Sequence, residues 1–304
     1  MKQLTVISGK GGTGKTSLLA SLAALARRAV IVDADVDAAD LHLLLQPRIR
    51  RREPFVASRV AQIDPERCDG CNRCVEACRF SAIAGFRVDP IACEGCGVCF
   101  HVCPKGAVSL KEVQSGEWFL SETRFGPLVH ARLGVAQENS GKLVTLVRNE
   151  ARRLAKEEGY PLILIDGPPG IGCPVIAALG GVDAALVVTE PSLSGIHDLK
   201  RVLEVCGHFQ VPAWVCVNKW NLNPGNTRRI EDYCREQGLP VMEKIPFDPV
   251  FTRAMISGQT IPEYCRGEIS GIIEKIWMRV QSLIALPPEE GRSWSEDLPA
   301  VPIS

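Results

Sequence analysis

Residues 8–17 read SGKGGTGKTS, which places glycines, a lysine and a hydroxyl at the spacing G-x-x-x-x-G-K-T from Gly9 to Thr16. Gly9, Gly11, Gly12 and Gly14 let backbone N–H groups converge on phosphate oxygens with no Cβ in the way, and a helix N-terminus just after them favours an anion. In such a loop Lys15 reaches the β- and γ-phosphates of a nucleoside triphosphate and the Thr16 hydroxyl ligates Mg2+, with Lys10, Thr13 and Ser17 completing the cradle. A Gly-rich turn that merely starts a helix is the competing reading. The flanks weigh against it, because LTVI before the loop reads as a buried strand and SLLASLAALARR after it reads as a helix.

A second constellation is built from sulfur. Cys68, Cys71, Cys74 and Cys78 follow C-x2-C-x2-C-x3-C, and Cys93, Cys96, Cys99 and Cys103 repeat it, with Pro104 next. Three closely spaced thiolates can wrap three corners of an iron–sulfur cubane while a distant fourth closes it. The pattern is similar to that of two-cluster bacterial ferredoxins, in which the fourth cysteine of each run ligates the other cluster. That resemblance implies one 4Fe–4S cluster on Cys68, Cys71, Cys74 and Cys103, and a second on Cys93, Cys96, Cys99 and Cys78. Zinc is the competing metal, but its sites usually pair two C-x2-C units across a longer gap. Arg79 stands where the first run would ordinarily have proline, a departure that removes no ligand.

With Lys10, the loop reads G-K-G-G-T-G-K-T and resembles the deviant Walker A motif of the MinD/ParA family of P-loop ATPases. That family includes the nitrogenase iron protein and the Mrp-type cluster carriers. The resemblance implies that Lys10 crosses a nucleotide-sandwich homodimer to the partner's phosphates; the alternative is a solvated lysine that only adds positive potential. AVIVDADVD (residues 29–37) reads as a second buried strand ending in acids. By resemblance to the family's D-x-D segment, Asp35 orients the attacking water, Asp33 sits near the lysine and Mg2+, and Asp40 lies in the first switch. For Asp37 and Asp40 a helix cap or turn acid is an equal reading. PLILIDGPPGIGC (residues 161–173) puts Asp166 at the Walker B position, reaching Mg2+ through water, ahead of a second switch loop at 167–172. Family likeness also implies that Asn218, after the strand PAWVCVNKWN, reads adenine, with Pro246 and Asp248 on a base-facing loop.

Cys173 stands near the offset at which the nitrogenase iron protein carries a bridging cluster ligand. No second candidate accompanies it, so a lone buried cysteine is the commoner reading. Cys206, Cys216, Cys234 and Cys265 have no ligand spacing and read as packing residues.

The chain has 304 residues, 35 Lys+Arg and 35 Asp+Glu, so no global charge argues for nucleic acid or an anionic membrane. No apolar run reaches the ~20 residues of a membrane span, and the N-terminus enters a strand at once, which predicts a cytoplasmic protein without a signal peptide. Thirteen cysteines in such a chain favour metal over disulfides. The expected fold is α/β, a doubly wound, mostly parallel P-loop sheet over 1–59 and 111–286, interrupted by a small α+β bacterial-type ferredoxin domain at 60–110. The basic stretch 46–60 reads as a connector, 125–142 as a loop-rich connection, AIAG and AVSL as the inserted domain's short strands, and PVMEKIPFDP as the last strand. A final helix is expected near 269–286, and the acidic, Pro-rich residues 287–304 as a disordered tail with no membrane anchor.

The implied function is hydrolysis of Mg-ATP in a homodimer, coupled to electron transfer through two 4Fe–4S clusters to a redox or metal-cofactor protein. The alternative is an ATP-dependent carrier or scaffold for metal-cofactor or complex assembly. A partitioning or positioning ATPase, with the clusters as staples, lacks a membrane helix or a basic DNA face.

Overall fold

The computed structural model describes residues 1–134 and 139–285, so the expected tail lies outside the described residues. In chain order the strands are β1 (Lys2–Ser8), β2 (Ala29–Asp33), β3 (Arg48–Ile63), β4 (Ile83–Ala84), β5 (Arg87–Val88), β6 (Val108–Thr123), β7 (Gly126–Leu133), β8 (Leu162–Pro169), β9 (Ala184–Thr189) and β10 (Ala213–Val217). The helices are α1 (Lys15–Leu25), α2 (Leu41–Leu45), α3 (Arg73–Glu76), α4 (Val98–Val102), α5 (Ser140–Glu158), α6 (Cys173–Leu179), α7 (Leu193–His208), α8 (Pro224–Glu236), α9 (Val250–Ile256), α10 (Ile261–Tyr264) and α11 (Glu268–Leu283).

Strands β1, β2, β8, β9 and β10 are almost wholly buried, as a parallel sheet covered on both faces requires. Among the described residues an eight-stranded sheet has the order β10-β9-β1-β8-β2-β7-β6-β3. Neighbours from β10 to β7 are parallel, and β6 runs antiparallel to both β7 and β3. One core joins the sheet to α1 and α11 around Leu22 and Trp277, and the other joins it to α5, α6 and α7 around Val147, Leu179 and Val202. A third, small cluster gathers Ala61, Cys74, Ile83, Cys99 and Val108 at the far end of β3 and β6. No helix among the described residues is long and apolar enough to cross a membrane.

Several expectations are corrected. The stretch 46–60 is not a connector but most of β3, paired with β6. Its arginines find carboxylates in the same ribbon: Arg52 bonds Glu117 at 2.6 Å, Arg50 pairs with Glu122, and Arg51 lies over the Trp118 ring at 5.3 Å. The partner strand is remote in sequence, so no local period announces it, and the charge suits an exposed edge. β4 pairs with β5 as a hairpin, whereas Val108 and Ser109 of AVSL open β6. The junctions at 60 and 110 thus fall inside two strands that run on from the sheet into the cysteine-rich segment. The stretch 125–142 contains β7 and the start of α5, with 135–138 outside the described residues. PVMEKIPFDP makes only isolated bridges, Val241 to Val215 and Ile245 to Asn218. Pro240 and Pro246 donate no ladder hydrogen bond.

The root of the β3–β6 ribbon is tied to the sheet at both ends of β7: the β6–β7 turn packs at the amino end of β2, and Leu133 reaches the acidic loop beyond its carboxyl end. Gly126, at φ +128°, closes the β6–β7 turn where a Cβ would come within 2.7 Å of the Ala29 carbonyl of β2. Arg124 in the same turn donates to the Leu44 carbonyl of α2 at 2.9 Å and to Glu263 at 2.8 Å. Leu133 N–H donates to the Val36 carbonyl at 3.2 Å, Gly134 N–H to Ser115 at 2.8 Å, and the Asn139 amide to Ser58 Oγ at 3.1 Å.

Beside this root, His130 bonds Ser121 Oγ at 2.9 Å and stacks on Phe119 at 4.9 Å. Burial, with a smaller push from His42, lowers its imidazole to about 4. The fold therefore favours neutral His130, and this contribution is whole above the unfolded value near 6.5 and lost as pH falls towards 4. Unfolding free energy is expected to drop by about 3 kcal/mol across that window, and His130→Gln to flatten the drop. Denaturant melts of both proteins from pH 7 to 4 check this; identical acid limbs would reject it.

Candidate nucleotide site and cysteine module

The glycine loop leaves β1 and enters α1 through Gly14, which has φ +88°. A Cβ there would stand 2.3 Å from Asn218 Nδ2, so both the conformation and the space demand glycine. Lys15 is buried, with its ammonium 2.8 Å from Asp35 and 3.7 Å from Asp166. Thr16 Oγ1 donates to Asp166 Oδ2 at 2.7 Å. The β1–β8 and β2–β8 pairings bring these groups together at the carboxyl ends of the central strands.

The electrostatics are those of a site built for more positive charge than the protein supplies. Asp33, Asp35 and Asp166 surround one lysine, all of them buried. Burial and the charge of Asp166 push the Asp33 carboxyl well above the usual range, and burial pushes Asp166 up to about 6. Burial opposes the charge on Lys15, but Asp166, Asp35 and Asp33 outweigh it and hold the ammonium above an ordinary lysine. Among the described residues the buried Asp166 Oδ1 and Thr13 Oγ1 have no hydrogen-bond partner. Asp166, with that oxygen free of hydrogen bonds and the Thr16 hydroxyl on its other oxygen, offers an all-oxygen donor set that suits Mg2+.

Asn218 follows β10 directly and buttresses the loop: its Nδ2 donates to the Thr13 carbonyl at 2.7 Å and its Oδ1 accepts from Lys219 N–H at 2.9 Å. Asp37 and Asp40 are exposed. Asp33 also serves the turn after β2, accepting from the N–H groups of Asp35 and Leu41 at 3.2 Å each. The Asp248 carboxylate caps the start of α9 by accepting from Val250 N–H at 2.7 Å, and the Pro246–Asp248 loop is held by Phe247 N–H donating to Asn221 at 2.7 Å. Sequence reasoning did not single out Glu190 and Lys219. Lys10 Nζ lies 2.6 Å from Glu190 Oε1, and Lys219 Nζ lies 3.1 Å from Glu190 Oε2 and donates to the Gly12 carbonyl at 2.8 Å. The available signal was an acid directly after a buried strand, in VVTEPS.

In the cysteine-rich segment, Cys74 and Cys99 are buried on α3 and α4. One cavity is lined by Cys78 together with Cys93, Cys96 and Cys99, and closed by Ala61, Ile83 and Leu110. Burial raises the Cys74 thiol and the charges of Cys68 and Cys103 add to it, so these sulfurs lie within electrostatic reach of one another; Cys99 is raised by burial and by Cys93 and Cys96. Slight burial of Cys103 is outweighed by the amides of Ala107, Lys105, Val108 and Gly106, which hold its thiol below the ordinary value. Ala107 N–H donates to its sulfur at 3.3 Å. No group of three or more His, Cys, Asp or Glu among the described residues is gathered tightly enough to hold a metal ion. Thiolates around a cubane contact separate iron atoms and stand farther apart than the ligands of one ion. Cys173, expected as a lone buried cysteine, is instead exposed at the start of α6, against Gly141, while Cys206, Cys216 and Cys234 are buried packing residues.

A buried lysine, a hydroxyl and a carboxylate around a glycine loop, at the carboxyl ends of a mostly parallel sheet, define a P-loop nucleotide-binding protein. The chain belongs to the CobQ/CobB/MinD/ParA nucleotide-binding domain family, which matches residues 4–261. It is 33% identical over 249 residues to protein MJ0578 of Methanocaldococcus jannaschii, covering 81% of this chain and 84% of that one. A shorter match, 26% identical over 115 residues and covering 32% of this chain and 37% of the relative, is to a cytosolic Fe–S cluster assembly factor NUBP1 homolog of Caenorhabditis elegans. Among solved structures, the septum site-determining protein MinD of Pyrococcus horikoshii, complexed with Mg-ADP, shares the fold with a TM-score of 0.57 at 18% identity, over 93% of this chain and 96% of that one.

Proposed function

We propose that the protein is an iron–sulfur ATPase that binds Mg-ATP in a nucleotide-sandwich homodimer and couples nucleotide state to electron transfer through two 4Fe–4S clusters. At the loop, Lys15 would leave Asp35 for the phosphates, which frees the Asp35 carboxylate to orient water. Thr16 and Asp166 would hold Mg2+, which supplies neutralisation of phosphate charge. Lys10 would meet the partner's phosphates. After its two hydrogen bonds Asn218 still has one N–H and one lone pair, the pattern that adenine complements. Pro246 and Asp248 remain our candidates for the base-facing loop.

For the clusters, the assignment stays Cys68, Cys71, Cys74 and Cys103 for one and Cys93, Cys96, Cys99 and Cys78 for the other, in a ferredoxin-like insert at about 60–110. The cavity shared by Cys78 and the second run is the observation that carries this reading: a fourth thiol arrives from the first run, where ligation across runs needs it. Such clusters supply one-electron transfer. Coupling is supported by the ribbon, whose far end holds the cysteines while its root reaches the acidic loop through the Leu133 N–H on the Val36 carbonyl.

The test is the midpoint potential of the clusters in anaerobic protein without nucleotide, with Mg-ADP and with a non-hydrolysable ATP analogue. By linkage, a shift must equal a difference in nucleotide affinity between redox states, with about 60 mV for each tenfold ratio in a one-electron couple. A shift of that size is expected on binding the ATP analogue. Unchanged potentials with turnover intact would sink gated electron transfer and put the carrier or scaffold role in front.

A further inference from the structure

Lys10 is fully occupied within its own subunit. Its ammonium meets Glu190 Oε1 at 2.6 Å, Ser194 Oγ at 3.2 Å and Ser192 Oγ at 3.3 Å, one partner for each of its donors. Glu190 and Ser192 lie on the short loop between β9 and α7 and Ser194 in the first turn of α7, a junction that is rigidly built: Ser192 caps α7 by accepting from Gly195 N–H at 3.0 Å, and a Cβ on Gly195 would come within 2.3 Å of the Glu190 carbonyl. The other carboxylate oxygen of Glu190 holds Lys219, which in turn grips the Gly12 carbonyl of the phosphate loop. Glu190 therefore spans two lysines at the mouth of the site. Its side chain is only 18% exposed, which strengthens both pairs over ordinary surface bridges.

We infer that Glu190 is a positioning residue that latches Lys10 inside its own subunit in the nucleotide-free protein and so sets the threshold for dimer formation. The inference rests on the reading above that Lys10 crosses the dimer. A lysine held by a carboxylate and two hydroxyls cannot also meet a partner's phosphate, so crossing requires all three contacts to exchange for phosphate oxygens. Only a ligand with more negative charge than one carboxylate makes that exchange favourable. Lys219 adds a sensor: phosphates seated against the loop compete with Glu190 for its ammonium, which weakens the latch from the second side. The latch thereby suppresses dimers without nucleotide and favours triphosphate over diphosphate.

Glu190→Gln keeps the shape and removes the charge, so it should loosen Lys10 without emptying the site. Sedimentation equilibrium on the full chain, without nucleotide, with Mg-ADP and with a non-hydrolysable Mg-ATP analogue, reads the outcome. Removing one charge-assisted pair should tighten the dimer by about tenfold with the analogue and narrow the gap between analogue and ADP. The Ser192→Ala/Ser194→Ala double variant should move the same way by less, and thermal melts show whether each variant is folded. Lys10→Ala separates the two readings. If it dimerises like wild type, the crossing role fails; if it stays monomeric while folded Glu190→Gln and the serine variant keep the wild-type dimer constant, the latch fails and the crossing role stands.

Discussion

Replacing Asp166 by Asn is expected to lower Mg2+-dependent ATP hydrolysis by roughly 10²–10³-fold, the usual cost of one preorganised electrostatic contact to the reacting phosphate. The same change should leave the nucleotide-free protein as stable as wild type or more so. Both expectations have one cause. Three buried carboxylates face a single buried lysine, and burial together with a neighbouring carboxylate disfavours the charge of Asp33 and of Asp166, the latter raised to about 6. An amide still accepts the 2.7 Å hydrogen bond from Thr16, yet it offers a cation no negative charge. Phosphate release measured against Mg2+ concentration, beside thermal melts without nucleotide, checks the pair of outcomes. Near-wild-type turnover would remove Asp166 from the metal site, and a large loss of melting temperature would show that its charge serves the fold instead.

The second large effect concerns Cys78. Although it belongs to the first cysteine run, Cys78→Ser is expected to empty the cluster proposed for the second run, because Cys78 lines one cavity with Cys93, Cys96 and Cys99. Iron in anaerobic protein should fall from about eight atoms per chain to about four. Double variants say which cluster went. Cys78→Ser with Cys96→Ser should keep about four iron atoms, since both remove one cluster, whereas Cys78→Ser with Cys71→Ser should keep almost none. The reverse pattern would mean that each run closes its own cluster. Zinc in place of iron would overturn the cluster reading altogether, and with it the coupling drawn through the ribbon.

Glu190 bears on the first of these experiments. If it holds Lys10 back, hydrolysis at low protein concentration reports dimerisation as well as chemistry, so turnover of Asp166→Asn is best compared at concentrations where the dimer constant is known.

The phosphate loop, the paired cysteine runs and the buried strands β1, β2, β8, β9 and β10 were legible in the residues alone. Each is local: a glycine pattern between a strand and a helix, a ligand spacing, or a continuous apolar run needs no distant partner to be recognised. The family resemblance added Asp33, Asp35, Asp166 and Asn218 as site residues, and the fold brings all four to the loop. What depends on pairing across distance was not legible until the chain was folded. The basic stretch from Arg48 onward became a strand because Glu117, Glu122 and Trp118 wait on β6, far along the chain. PVMEKIPFDP lost its place as a strand because its prolines leave it only isolated bridges to β10. Glu190 and Lys219 carry no motif, and they matter because β9 and β10 end beside the glycine loop and set two lysines against one carboxylate. Local chemistry is written in residue spacing; the partners that restrain it are chosen by strand order.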